Sequence, residues 1–250
     1  MWKIIKIFIC IRMESPHKPV QTTKITNEQT VSTKFDTVKF TFYFTYILLI
    51  TTGTITLVEA LATKNPIVRH IMNLETCISI IAGYFYSQFI TKVTTGSGVI
   101  DYKNINETRY NDWVITTPLM ILALMIALSY NNKESVHIGT YLSAVLLNFG
   151  MLYTGYLGEK KTISKQSGCI LGFIFFVALF ALIYFSFVRD SKMMFNFILF
   201  GIYILIWGLY GFVYLLDEEN KNIMYNILDV TAKCFVGLGL WTYFTKILVY

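Results

Sequence analysis

Charge is scarce in this sequence. Asp, Glu, Lys and Arg make up 14% of its 250 residues, against about 25% in soluble domains. A shortage of that size argues against an ordinary water-soluble fold. Cysteine is also sparse. Cys10, Cys77, Cys169 and Cys234 lie far apart, with no CxxC pair, so neither a disulfide scaffold nor a cysteine metal centre is expected. Three of them fall in apolar stretches and are expected to be small core residues. The histidines His17, His70 and His137 stand at or beyond the ends of apolar segments, so no metal site is expected. The net charge of +6 is spread over tails and loops. It shows no basic, aromatic-interleaved stretch, so nucleic acid is not an expected partner, and it suits a chain among anionic lipids. Internal repeats of the kind many transporters carry are missing too.

What the chain has is hydrophobicity: 55% of residues are apolar and 16% are aromatic. Seven apolar segments, at about 39–62, 67–91, 109–130, 136–157, 167–188, 194–215 and 222–247, are each near the length that spans a bilayer. The expected class is therefore an all-α membrane protein, a seven-transmembrane helix bundle formed by one domain over 39–248. Residues 1–38 read as an N-terminal tail. Its first stretch, 1–13, is apolar but punctuated by Lys3, Lys6 and Arg12, which fits an interfacial amphipathic helix, a signal-like segment, or a start at Met13. Residues 14–38 are polar and Thr-rich and read as flexible. The longest gap, about 92–108, contains Gly96-Ser97-Gly98 and a weak alternation that fits a small hairpin. Lys and Arg are shared evenly between the two sets of loops. The acids are not: Asp101, Glu107, Glu159, Asp217, Glu218 and Glu219 fall on one side, with Glu134 and Asp190 on the other.

Two segments carry charge where charge is costly. In the seventh, Asp229 and Lys233 are four apart, one turn from each other on a single helix face. This is either a buried ion pair that holds helices together or a Schiff-base lysine with its carboxylate counter-ion. In the third, Arg109, Asp112 and Thr116 share one face. The two carboxylates, the arginine and the lysine can balance as a neutral quadruplet. A proline follows at Pro118, and the hydroxyl of Thr117 beside it can satisfy the carbonyl that the proline frees.

Arg109-Tyr110-x-Asp112-Trp113-x-x-Thr116-Thr117-Pro118-Leu119, with Leu228-Asp229-Val230-x-Ala232-Lys233, resembles the microbial rhodopsins. The resemblance covers roughly residues 39–248. It implies a light-driven retinal protein with no enzymatic activity, whose N-terminus is extracellular and whose C-terminus is cytoplasmic. That agrees with the acidic loops facing out. The cofactor implied is all-trans retinal, bound covalently to Lys233 as a protonated Schiff base. Asp112 matches the proton acceptor and counter-ion, Asp229 the second counter-ion, and Arg109 with Thr116 the charge cluster around them. The implied retinal pocket holds Trp113 and Trp207 on the two polyene faces, with Thr117, Met120, Met151, Gly155, Gly172, Phe176, Tyr210 and Tyr214 around them. Met120 matches a colour-tuning position where an apolar residue favours green absorption. Relatives are multi-pass proteins of the cell membrane that form trimeric or pentameric homo-oligomers in the lipid bilayer and move protons or small cations.

The sequence departs from the outward proton pumps at one position. Eleven residues after Asp112, where they place a proton-donating carboxylate, stands Ala123. Glu75 on the second segment is a candidate substitute, as a cytoplasmic donor or as a gate in a pore, against the plainer reading of a glutamate snorkelling to the interface. Asn73-Leu74-Glu75-Thr76 resembles the rhodopsins of giant viruses, a group with both weak proton pumps and light-gated cation channels, which extends the expected location to the membrane of a virus-infected host. Asn148 and Thr117 match a helix pair that governs photocycle speed. Asn226 faces the extracellular half of the charge cluster. Glu219 matches one member of a proton-release pair whose partner position holds Lys221. Gly211 stands where many relatives have a proline. The expected activity is outward proton translocation, with a light-gated cation channel as the alternative and a photosensory receptor as a third reading.

Overall fold

The computed structural model describes residues 22–95 and 100–245, with side chains from residue 36 onward. The expected interfacial helix at 1–13 and the Gly96–Gly98 turn lie outside these residues. Helix α1 spans Thr22–Ala62, α2 Pro66–Thr95, α3 Tyr102–Asn132, α4 Ile138–Glu159 and α5 Lys165–Ile183. Then come α6, Met194–Val213, α7, Glu218–Asp229, and α8, Val236–Thr245. A π-helical turn, Tyr184–Val188, extends α5, and a second, Val230–Phe235, joins α7 to α8 into one long element. The helices thus make seven spans. By length and apolarity, five described stretches can cross a membrane: Asp36–Ala62, Tyr102–Asn132, Lys165–Val188, Met194–Val213 and Glu218–Thr245. The other two are α2 and α4. Charged Arg69, Glu75 and Lys92 interrupt the apolar run of α2.

Two helix starts differ from the sequence expectation. α1 begins at Thr22, inside the stretch read as a polar tail. Extending a helix already formed costs far less than starting one, and no glycine or proline interrupts residues 22–52. The chain divides into compact units at Thr37/Val38; the bundle described below begins at Val38. α3 begins at Tyr102, seven residues early. Asp101 caps it, its carboxylate accepting from the Asn104 backbone N–H at 3.1 Å. Among the described residues of the 92–108 gap there is no strand, so the hairpin expectation is corrected to two long helix ends. α1 stops before Asn65-Pro66 because a residue preceding proline is pushed out of helical geometry. Asn65 Oδ1 then caps α2 through the N–H groups of Ile67 and Val68. Asp217 caps α7 in the same way, and its bonds from Asn220 hold its carboxyl below the usual range.

The connections alternate between two ends. At one, the α1–α2 turn meets the end of α3 through Asn65 and Tyr130. The ends of α3 and α8 are joined there by the Tyr243–Asn131 bond. At the other, Lys92 of α2 donates to Asn104 and Thr108 of α3, and Asn106 reaches Glu159 and Glu218. These are called the α1–α2 end and the α2–α3 end. The polarity is inside out. Leu61 is 77% exposed and Leu146 71%, whereas Arg109, Asp112 and Asp229 are wholly buried. Cys77 is also exposed, a correction to its reading as a core residue, while Cys169 is half-buried and Cys234 buried. α4 and α5 pack backbone to backbone. A Cβ built at Gly168 would stand 2.9 Å from the Thr154 carbonyl oxygen, an approach that small residues allow.

Candidate functional site

Lys233 sits in the π-helical turn, at the middle of the bundle and 1% exposed. Such turns recur at functional positions. Its Nζ lies 2.7 Å from Asp112 Oδ2 and 3.5 Å from Asp229 Oδ1. Arg109 completes the quadruplet, its Nη1 3.2 Å from Asp229 Oδ2. All four charges that the sequence offered are brought together, and in a dry interior such a set is tolerable only when paired and hydrogen-bonded.

The two carboxylates are not equivalent. Asp229 accepts from Tyr86 at 2.7 Å and Tyr210 at 2.7 Å, besides Arg109. Among the described residues the Asp112 carboxylate accepts from Lys233 alone, through Oδ2, and its Oδ1 is buried without a hydrogen-bond partner. Thr116 is buried one turn away, but its hydroxyl donates to the Asp112 backbone carbonyl at 2.9 Å. Thr116 is thus near the charge cluster and turned away from the carboxylate, as a helical threonine does when its hydroxyl finds the preceding turn. Thr117 does likewise to the Trp113 carbonyl, at 2.6 Å. The carbonyl that Pro118 frees, four residues back, is that of Val114. The expected threonine repair therefore goes to its neighbour.

Arg109 is held by side chains of α2 and α7. Its Nη1 also donates to Tyr86, and its Nη2 donates to Asn222 Oδ1 and Asn226 Oδ1. The rings of Phe42, Tyr86, Phe89 and Tyr225 lie 5.0–5.7 Å from its Cζ, close enough for cation–π attraction. Asn226 also donates to Thr41 Oγ1. Tyr86, Tyr225 and Asn222 were missed from sequence. The signal for Asn222 was available: Asn222, Asn226, Asp229 and Lys233 step by four, three and four residues along one helix face.

From Lys233 a cavity extends between α3, α4, α5, α6 and α7. Trp113, Thr117, Met120, Met151, Gly155, Gly172, Phe176, Trp207, Tyr210 and Tyr214 all line it, together with Tyr110, Phe173 and Ala232. Asn148 Nδ2 donates to Thr117 Oγ1 at 2.8 Å, tying α4 to α3 at the cavity wall. α6 runs as a continuous helix through Gly211. A Cβ there would stand 2.6 Å from the Phe173 ring, so the glycine makes room for an aromatic of α5.

Glu75 lies on the far side of Lys233 from Asp229. It is 2% exposed, which overturns the interfacial reading, and among the described residues no hydrogen bond or ion pair reaches it. Its carboxylate faces the backbone of Gly237, where a built Cβ would stand 2.7 Å from Oε2. Ser79 Oγ, one turn along α2, is buried and unpartnered among the described residues. Thr56 and Thr76 bond to each other at 2.9 Å, and Trp241 donates to Glu59 at 3.3 Å. Ala123 is fully buried in the same bundle. At the α2–α3 end, Lys221 takes Glu159 and Glu218 as partners. Glu219, the acid picked from sequence, is half-buried beside them.

Seven antiparallel spans around a buried lysine, two carboxylates and an apolar cavity define a multi-pass integral membrane protein. The chain belongs to the bacteriorhodopsin-like protein family, whose model matches residues 35–247. It is similar to a crystal structure of the viral rhodopsin OLPVRII, with 45% identity, a TM-score of 0.78, and coverage of 84% of this chain and 98% of that one. Among curated proteins it is 25% identical over 211 residues to bacteriorhodopsin of Halobacterium salinarum, covering 74% of each chain. It is 27% identical to archaerhodopsin-3 of Halorubrum sodomense over 172 residues, covering 62% of each chain. The chain is a microbial rhodopsin homologue, set in the membrane.

Proposed function

We propose that this protein binds all-trans retinal covalently through Lys233 and uses light to carry protons outward, with the α2–α3 end extracellular. The observation that carries the reading is the asymmetry of the two carboxylates. Asp229 takes three side-chain donors besides facing the lysine, while Asp112 touches the lysine at 2.7 Å and its Oδ1 has no partner among the described residues. The cavity fits the cofactor: it begins at the amine, is walled by aromatic and small residues, and holds few polar atoms. Trp113 and Trp207 would flank it, with Met151, Gly155, Gly172 and Phe176 farther along. When bound, retinal supplies absorption of visible light and a change of shape.

The chain's own groups do the rest. The Lys233 nitrogen lies 2.7 Å from Asp112 Oδ2, within the reach that proton transfer needs. Asp229, held by its tyrosine and arginine donors, remains beside the nitrogen after Asp112 takes the proton. Arg109, with Asn222 and Asn226, continues the polar chain outward. On the opposite side Glu75 is the carboxylate available to return a proton to Lys233, in place of a donor at Ala123. Glu75→Gln is expected to slow that return several-fold in time-resolved absorption, and unchanged kinetics would remove Glu75 from the pathway.

Light-induced current against voltage in a retinal-supplied cell, at two pH values, tests the whole reading. A pump's current keeps its sign at every voltage. A current that reverses supports a light-gated cation channel instead, for which the Glu75, Ser79 and Thr56–Thr76 stretch supplies a polar lining. A pigment with no light-induced current sinks both.

A further inference from the structure

A second charged cluster stands apart from Lys233, at the α2–α3 end. Lys221 is fully buried there. Its Nζ lies 2.8 Å from Glu159 Oε1 and 2.9 Å from Glu218 Oε2. Asn106 Nδ2 donates to the same two carboxylates, at 2.8 and 2.6 Å. Asn222 Nδ2 donates to Asn106 Oδ1, and Asn222 Oδ1 accepts from Arg109. The cluster is therefore the outer end of the polar chain that begins at Asp229. It has one wet side: the Glu218 side chain is 46% exposed, whereas that of Glu159 is 8% exposed.

Two carboxylates, Glu159 and Glu218, converge on one point, and paired carboxylate oxygens are the ligands a hard divalent cation takes. Here that point is occupied by an ammonium on a tether. A lysine buried so fully is costly unless paired, and a neutral side chain in its place would take from Glu159 the cation at 2.8 Å and leave Lys165 beside Glu218 at 3.6 Å. We propose that Lys221 is a built-in counter-cation that fills the place an inorganic cation would take between Glu159 and Glu218, closing the outer end of the pathway to metal ions. Cation traffic at this end is then limited to protons. The inference rests on the ion-transport reading above, but its principal test does not.

The test is calcium-dependent thermal unfolding of the purified full chain, measured in the dark. The wild type and Lys221→Arg are expected to melt at the same temperature with and without calcium. Lys221→Met should melt lower in chelator and recover by about 4 °C or more as calcium reaches millimolar levels. Lys221→Gln, which can still hydrogen-bond Glu159, is the gentler variant with the same expected response. If either variant accumulates only when calcium is supplied, that is the expected result in stronger form. Melting of both variants that ignores calcium overturns the proposal, as does a wild type that responds equally. Failure of both to accumulate even with calcium also overturns it, because a metal ion in the vacated place should restore the fold. Absence of light-driven current in the wild type would instead sink the transport reading and leave this result standing.

Discussion

Lys233→Ala is expected to leave a protein with no visible absorption band after retinal is added, where the wild type is expected to absorb in the green. An amine is required to hold the cofactor, and Lys233 is the one lysine lining the cavity. Alanine also removes a charge that two carboxylates share, at 2.7 and 3.5 Å. Breaking a buried pair in that way costs roughly 3–5 kcal/mol, so loss of colour could arise from loss of fold. Lys233→Arg separates the two causes. It keeps a positive charge beside Asp112, but a guanidinium stays protonated and does not condense with an aldehyde. The expected result is a folded, colourless protein by circular dichroism and visible absorption. A coloured Lys233→Arg protein would place the cofactor on another residue.

Asp112→Asn carries the second large effect. Asparagine keeps the shape and the hydrogen bond but takes up no proton. Transfer from the Lys233 nitrogen is expected to slow by roughly 10²–10⁴-fold, the usual contribution of a positioned acid–base group. Light-driven current should fall below detection. The companion variant Asp229→Asn should act differently. Asp229 holds bonds from Tyr86, Tyr210 and Arg109, so its loss loosens the cluster and lowers the melting temperature while Asp112 can still accept. Time-resolved absorption and melting curves on both variants check the division of labour. Equal kinetic defects in the two would remove the asymmetry on which the proton-acceptor assignment stands.

The spans were legible because a bilayer demands long apolar runs, and the seven runs in the sequence correspond to the seven spans. Helix starts were less so. Polarity alone marked residues 22–38 as a tail, yet a helix propagates cheaply through polar residues once a span has formed. The charges at Arg109, Asp112, Asp229 and Lys233 stood out because each is costly inside a membrane. Their partners did not. Tyr86 is one aromatic among 17 tyrosines and 20 phenylalanines, and only folding shows that its hydroxyl lands on Asp229. The Glu159–Lys221–Glu218 cluster was hidden for another reason. Acids and lysines near helix ends read as solvated loops, and Lys221 and Glu159 are 62 residues apart. A shared helix face fixed the position of Thr116, but the rotamer that sends its hydroxyl to the Asp112 backbone carbonyl is not written in the spacing.

The π-helical turn at Val230–Phe235 has a consequence for how the last span is numbered in space. A π turn behaves as an α-helix carrying one inserted residue. Everything from Val236 onward is therefore rotated by about 100° from where an uninterrupted helix would put it. The residues that face Arg109 and those that face Glu75 belong to two different helical phases, spliced at Lys233. Deleting one residue from this turn would reunite the phases and swing Gly237 and Trp241 away from Glu75 and Glu59, although no side chain in either group had been changed.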